Sequence, residues 1–239
     1  MKALIFALAA LTVSSVLPAK AAEADPQETA IVNRYLSATR EQQSTLRGVS
    51  MEVDIDAKVP KLQKQGKLHA LRNISKLGKI TYHMLGFNGD NAIKKEVIAR
   101  YLSAEVQSQD GENISITPAN YKFKYKGVLN HDSAQVYVFQ LSPRKKRVGL
   151  FKGELWLDAQ TCMPVRESGR FVKTPSIFLK KMEFTRVYAM QNGVSIPQYV
   201  ESRVDTRLFG QVELTINFTH FAREPEGESV VATAAGDTQ

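Results

Sequence analysis

The chain has 239 residues, of which 43% are hydrophobic and 23% charged, with a formal charge of +8. That length and balance suit one sizeable core and exclude a disordered or membrane-spanning composition. A single cysteine, Cys162, excludes an intrachain disulfide framework and a multi-cysteine metal site.

The N-terminus reads as a secretory leader. Met1-Lys2 opens it, Ala3 to Leu17 is an apolar run too short to span a bilayer, Pro18 breaks the run, and Ala19-Lys20-Ala21 fits a small-x-small cleavage site. Cleavage is expected after Ala21 or Ala22. That leaves a leader over 1–21, a single domain over 22–222 and a disordered tail over 223–239. No cysteine stands near the cut, so the mature N-terminus carries no lipid. Loss of Lys2 and Lys20 takes the formal charge from +8 to +6, a balance that favours anionic lipid heads or acidic partners. Export also removes nucleic acid from the expected partners.

Asp25-Pro26-Gln27-Glu28 predicts a helix start, with Asp25 as cap, Pro26 in the first turn and Glu28 closing a capping box. Ile31, Val32, Tyr35 and Leu36 form its apolar stripe, which runs to about Gln43. After Gly48 the period changes to two: Val49, Met51, Val53, Ile55, Ala57 and Val59 alternate with polar residues, the pattern of a strand with one dry face. Pro60 to Gly66 reads as a basic turn, Lys67 to Leu77 as a second strand, Gly78 as its turn, and Ile80 to Phe87 as a third. Asn88-Gly89-Asp90 then caps a second helix whose stripe is Ile93, Val97, Ile98, Tyr101 and Leu102.

From Tyr121 onward the pattern is of strands and short turns. Tyr121, Phe123 and Tyr125 alternate with lysines, and Val136 to Leu141 is apolar on both sides. Phe151 to Asp158, Val165 to Lys173 and Phe178 to Met190 follow. In Val194 to Thr206, Val194, Ile196, Val200 and Val204 face away from Ser195, Tyr199, Glu201 and Arg203. The last strand places Leu208, Val212, Leu214, Ile216 and Phe218 on one face. Leu155-Trp156-Leu157-Asp158-Ala159-Gln160-Thr161-Cys162-Met163-Pro164-Val165-Arg166 reads as strand, polar turn and a return strand opened by proline. Tyr188 to Pro197 repeats the plan around Asn192-Gly193, a strong hairpin signal. The sum is an α+β fold: a strongly curved antiparallel sheet of about ten strands, an open half-barrel, with the helices covering its concave face.

This order resembles the LolA/LolB-like family of periplasmic lipoprotein-binding proteins. The likeness covers Asp25 to about Phe221, and residues 155–166 look like the family's tryptophan-strand, acidic-turn, proline-strand hairpin. It implies a periplasmic, monomeric, non-enzymatic protein that needs no cofactor. Its partners would be lipoprotein acyl chains or lipids, held between sheet and helices, together with envelope membrane proteins. The family's carriers use an inner-strand arginine to bond the lid, and Arg72, Arg166 and Arg170 are all open for that role. The second reading is an envelope sensor or scaffold: the same fold binds a partner protein, transports nothing, and fills the pocket with its own side chains.

Candidate residues for the cavity wall are Met51, Val53, Ile55, Tyr82, Met84, Ile93, Val97, Tyr101, Phe123, Tyr125, Tyr137 and Phe139, apolar groups suited to flexible alkyl chains. The run Arg144-Lys145-Lys146-Arg147 is a candidate patch for lipid heads or an acidic partner, against the plainer reading of a solvated hairpin tip. No catalytic motif is present, and no two of His69, His83, His131 and His220 stand at zinc-site spacing. Asp54 and Asp56, on the wet side of one strand, read as surface charges. Cys162 has no activating neighbour in sequence.

Overall fold

The computed structural model describes residues 26–107, 113–132, 134–191 and 194–223. The expected leader, the tail from 224 and the Asn192-Gly193 turn lie outside them. Helix α1 is Pro26–Thr45, followed by β1 Val49–Val59, β2 Lys64–Ile74 and β3 Ile80–Gly89. Helix α2 is continuous through three segments, Asn91–Ile93, a π-helical Lys94–Ile98, and Ala99–Gln107. Seven strands complete the chain: β4 Tyr121–His131, β5 Ala134–Pro143, β6 Phe151–Asp158, β7 Pro164–Phe171, β8 Leu179–Gln191, β9 Val194–Thr206 and β10 Gln211–Arg223.

The ten strands form one curved antiparallel sheet in the order β3-β2-β1-β10-β9-β8-β7-β6-β5-β4. It stays open because β3 and β4 are edges, and only the β1–β10 pairing departs from sequence order. One row of ladder partners crosses every strand: Phe87, Leu68, Ile55, Ile216, Val200, Arg186, Glu167, Leu155, Phe139 and Tyr125. Directly paired residues share a face. The row therefore defines one inner face, apolar except for Arg186 and Glu167 at its middle.

Two cores build on that face. In one, Ile93 and Ile98 of α2 pack with Val53, Ile55, Leu68, Val200 and Ile216. In the other, Ile31, Val32 and Tyr35 of α1 pack with Tyr121, Phe139, Leu141, Leu155 and Leu157. Both helices thus lie on the same side of the sheet. The hairpin at 158–163 is built as its residues predict. Asp158 Oδ1 accepts from the Gln160 and Thr161 amides at 3.1 and 2.7 Å, which lets Cys162 take a φ of +57°. Arg34 of α1 donates to the Gln160 carbonyl at 2.7 Å, so the turn also seats the helix.

Several expectations shift. Glu28 accepts the Tyr125 amide at 2.8 Å, a long-range tie between α1 and β4, while the expected cap Asp25 lies outside the described residues. The β1–β2 turn closes within residues 60–63, because Gln63 adopts φ +53°; Lys64 to Gly66 are then freed to pair with β1. Ser195, expected on the wet face, is fully buried: Gln42 of α1 bonds its amide and carbonyl, and its hydroxyl donates to Pro164 O at 2.7 Å. Leu208 sits in a turn, not on a strand face, because Thr206 clamps Gly210 O through both its amide and its hydroxyl at 2.8 Å. Phe178 also lies in a turn ahead of β8. At the C-terminal end, Ala222 and Arg223 still pair with Ser50 and Val49, so β10 runs past the expected end of the domain.

Tyr121 gives this core a pH signature. Its ring is fully buried, and burial pushes the phenol up to about 12 while its oxygen accepts the Phe151 amide at 3.2 Å. An unfolded tyrosine ionises near pH 10, so above that pH the unfolded chain releases a proton that the native chain keeps. Stability should therefore fall as pH rises from 10 towards 12, by about 1.4 kcal/mol per unit from this residue. Urea midpoints at pH 9 and 11 check it: Tyr121→Phe should show a shallower fall than the parent.

Candidate functional site

Helix α2 carries the site. Asp90 caps it by accepting the Ala92 amide at 2.7 Å and pairs with Lys64 at 2.9 Å; the Lys64 ammonium and then that amide hold its carboxyl below the usual range. The π-helical segment closes i to i+5, which brings Ile93 and Ile98 to one side, both buried. Val97, Tyr101 and Leu102 pack beside them. Between this helix and β2–β3 lies a cavity of about 180 Å³ lined by Leu68, Ala70, Tyr82, Met84, Lys94, Ile98, Ala99 and Leu102. Its wall is apolar apart from the Tyr82 hydroxyl and the Lys94 ammonium. The latter lies 4.9 Å above the Phe87 ring at the rim.

The last turn of α2 is tied to the sheet by charge. Glu105 receives Arg72 Nη2 at 2.9 Å and Nε at 3.2 Å on Oε1, and the Tyr82 hydroxyl at 2.6 Å on Oε2. Arg72 is 7% exposed and also reaches Met51 Sδ at 3.8 Å. Burial is the largest influence and works against its charge, but Glu105 and Tyr82 together outweigh it and keep the guanidinium above its ordinary value. Burial, then Glu105, raises the Tyr82 phenol. Of the three arginines left open by the sequence, Arg72 bonds a helix, through Glu105 of α2. Arg166 lies instead 4.8 Å over the Trp156 ring, and Arg170 pairs with Glu183 in the β7–β8 ladder.

A second polar node lies mid-sheet. Tyr188 donates to Glu167 Oε1 at 2.8 Å, and Arg186 Nη1 stands 3.3 Å from both Glu167 Oε2 and the Tyr188 oxygen. Tyr188, then Glu167, favour the charged form of the half-buried Arg186. Tyr35 of α1 and Tyr101 of α2 flank this node, and burial raises both phenols, with Glu167 adding to the first and Glu105 to the second.

The twelve expected wall residues separate by position. Tyr82 and Met84 line the cavity. Met51, Val53, Ile55 and Ile93 are buried in the core under α2, with Val97 and Tyr101 packed on it. Phe139 is buried in the core under α1, with Phe123, Tyr125 and Tyr137 against it. Glu105, Glu167, Arg186 and Tyr188 were not foreseen, although Glu105 stands four residues after Tyr101 on the apolar stripe and Arg186 shares the alternation of Phe184 and Tyr188. The run 144–147 lies in the β5–β6 connection, where Arg144 and Arg147 donate to the carbonyls of Pro118 and Asn113.

A larger trough of about 520 Å³ runs along Asp54, Asp56, Lys67, His69, Asn88 and Asn217. These side chains alternate away from the inner face. Its charges are largely spent on one another, Asp54 on His69 at 2.9 Å and Asp56 on Lys67 at 3.4 Å. Among the described residues no cluster of histidine, cysteine and carboxylates could hold a metal, and no helix is long and apolar enough to cross a membrane. Cys162 is buried, and burial raises its thiol.

Neither a protein-family model nor a curated protein matches the sequence. In structure the chain is similar to a DUF1329 family protein from Desulfovibrio piger, at 11% identity and a TM-score of 0.48, over 86% of this chain and 96% of that one. It is similar to a putative outer membrane lipoprotein-sorting protein domain from Vibrio parahaemolyticus at 12% identity and 0.41, over 83% and 95%. A LolA superfamily protein from Nitrosomonas europaea aligns at 11% identity and 0.37, over 83% and 94%.

Proposed function

We propose that the protein is an exported carrier that binds acyl chains of lipoproteins or lipids beneath α2, with both helices covering the concave face of the half-barrel and no covalent chemistry of its own. The observation that carries this reading is the apolar cavity between α2 and β2–β3, whose lining Tyr82 also bonds Glu105 in the last turn of α2. Its volume of about 180 Å³ takes part of an alkyl chain, and a longer chain would extend along the helix or lift α2 from the sheet. Each methylene taken from water contributes about 0.8 kcal/mol, so affinity grows with chain length until the helix can move no further. The larger trough suits this role less, because Asp54, Asp56, Lys67 and His69 pair with one another along it.

A lipophilic fluorophore displaced by an acylated peptide tests the reading. Met84→Asp should weaken the competition at least about tenfold, since an unpaired carboxylate in an apolar wall is costly. Met84 is 49% exposed, so the variant should keep its thermal midpoint. The scaffold reading has its own observation: much of the inner face is filled by the protein's own side chains, with Met51, Val53, Ile55 and Phe139 at 2% exposure or less. Folded wild-type protein without displaceable probe binding would overturn the carrier and leave the scaffold.

A further inference from the structure

Four connections leave the sheet at the same end: residues 60–63, 207–210, 172–178 and 144–150. They form a continuous belt. A Cβ built on Gly210 would stand 3.2 Å from Lys61 Cδ, which sets the first two side by side. Arg207 joins the second to the third, donating from Nε to Ile177 O at 2.7 Å and from its amide to Phe178 O at 2.9 Å. The Val172 amide joins the third to the fourth through Leu150 O at 2.9 Å.

The belt has two properties together. Its tips are apolar and exposed: Leu62, Leu208, Phe209, Ile177, Phe178 and Val148 range from 39% to 79%. The same four segments hold seven lysines and arginines and no aspartate or glutamate. None of those seven forms an ion pair among the described residues. Leaving six large apolar groups in water is unfavourable, and so is crowding seven cations that form no ion pair among the described residues. One partner relieves both. We infer that this end of the sheet docks on an anionic lipid bilayer, with the apolar tips in the interface and the basic residues at the headgroups.

Three points favour a bilayer over a protein. The apolar groups are spread over four loops that also carry the seven cations, so they do not form a strip on one element for a peptide to follow. A fluid interface lets each tip find its own depth, and aromatic side chains favour that depth. The charge excess is not tied to a shaped pocket, which matches the diffuse field of anionic headgroups. The run 144–147 thereby becomes part of a larger surface to which Lys61, Lys173 and Arg207 contribute. This inference does not rest on the cavity reading.

Vesicle flotation tests it, using phosphatidylcholine alone and an equal mixture with phosphatidylglycerol. The purified protein should float with the mixed vesicles at low salt, less at high salt, and not with phosphatidylcholine alone. Each basic residue is worth about fivefold in partitioning, so Lys145→Glu with Lys146→Glu should reduce binding at least about tenfold. Phe178→Ser with Phe209→Ser should do likewise at both salt concentrations. Leu77→Ser, in the exposed turn at the other end of the sheet, should change nothing. A Phe178→Trp variant should shift its emission to the blue on mixed vesicles. Absence of wild-type flotation overturns the inference, as does full binding by either double variant, an unmoved Trp emission, or capture of an acidic protein without vesicle binding. Thermal melts confirm that each variant is folded. Probe displacement should be unchanged in all of them, so failure here leaves the cavity reading standing, and the reverse.

Discussion

Glu105→Ala is expected to lower the free energy of unfolding by about 3 to 5 kcal/mol, the usual cost of removing one partner from a buried ion pair. Glu105 supplies acceptors for two Arg72 nitrogens and for the Tyr82 hydroxyl. Without it, a guanidinium 7% exposed keeps the Tyr82 oxygen and the weak Met51 sulfur among the contacts described here. The same physics predicts a rescue. Arg72→Met with Glu105→Leu removes both charges and fills similar volume, so its urea midpoint should return close to the parent's. In the rescued variant the last turn of α2 loses its charged tie to Arg72, and a lipophilic probe should enter faster. If Glu105→Ala unfolds at the parent's midpoint, α2 is not latched by this network.

Much of the frame is legible in the residues. The alternation of Val49 to Val59, the stripe Ile93-Val97-Ile98-Tyr101-Leu102 and the turn chemistry at Asp158 each report a local preference, and local preferences survive folding. The site is less legible, because it is made of meetings between distant segments. Arg72 and Glu105 lie 33 residues apart, and Glu167 meets Arg186 only through the register of β7 and β8. Alternation also misplaces Leu208, since a period-two pattern cannot register the Thr206–Gly210 clamp that turns the chain. Ser195 is polar by composition yet buried, because a glutamine 153 residues away supplies its backbone partners. The basic run at 144–147 can be read directly, but its joining with Lys61, Lys173 and Arg207 follows from topology alone.

Gly153→Ala should destabilise the protein by about 3 kcal/mol, although it adds one methyl group. Gly153 faces Gly169 across β6 and β7, two positions from the Phe151–Phe171 end of that ladder. A Cβ on Gly153 would run into the Ser168 carbonyl and lie 2.5 Å from Gly169 Cα; one on Gly169 would meet Lys152 O at 2.6 Å and Phe151 Cδ2 at 2.7 Å. The obstacles are mostly main chain, so no rotamer change makes room, and the two strands must separate. Such glycines inside strands mark a close approach of backbones. Gly86→Ala on edge strand β3 is the matched comparison: nothing stands within 4 Å of its Cβ and its φ is not in the left-handed region. There the same change should be neutral or stabilising by up to about 1 kcal/mol, through reduced freedom of the unfolded chain. Because the chemistry is identical, the difference between the two urea midpoints isolates the contact between β6 and β7. Equal midpoints would mean that these strands do not approach as closely as the register requires, and that the row carrying Glu167 and Arg186 across the inner face is drawn in the wrong place.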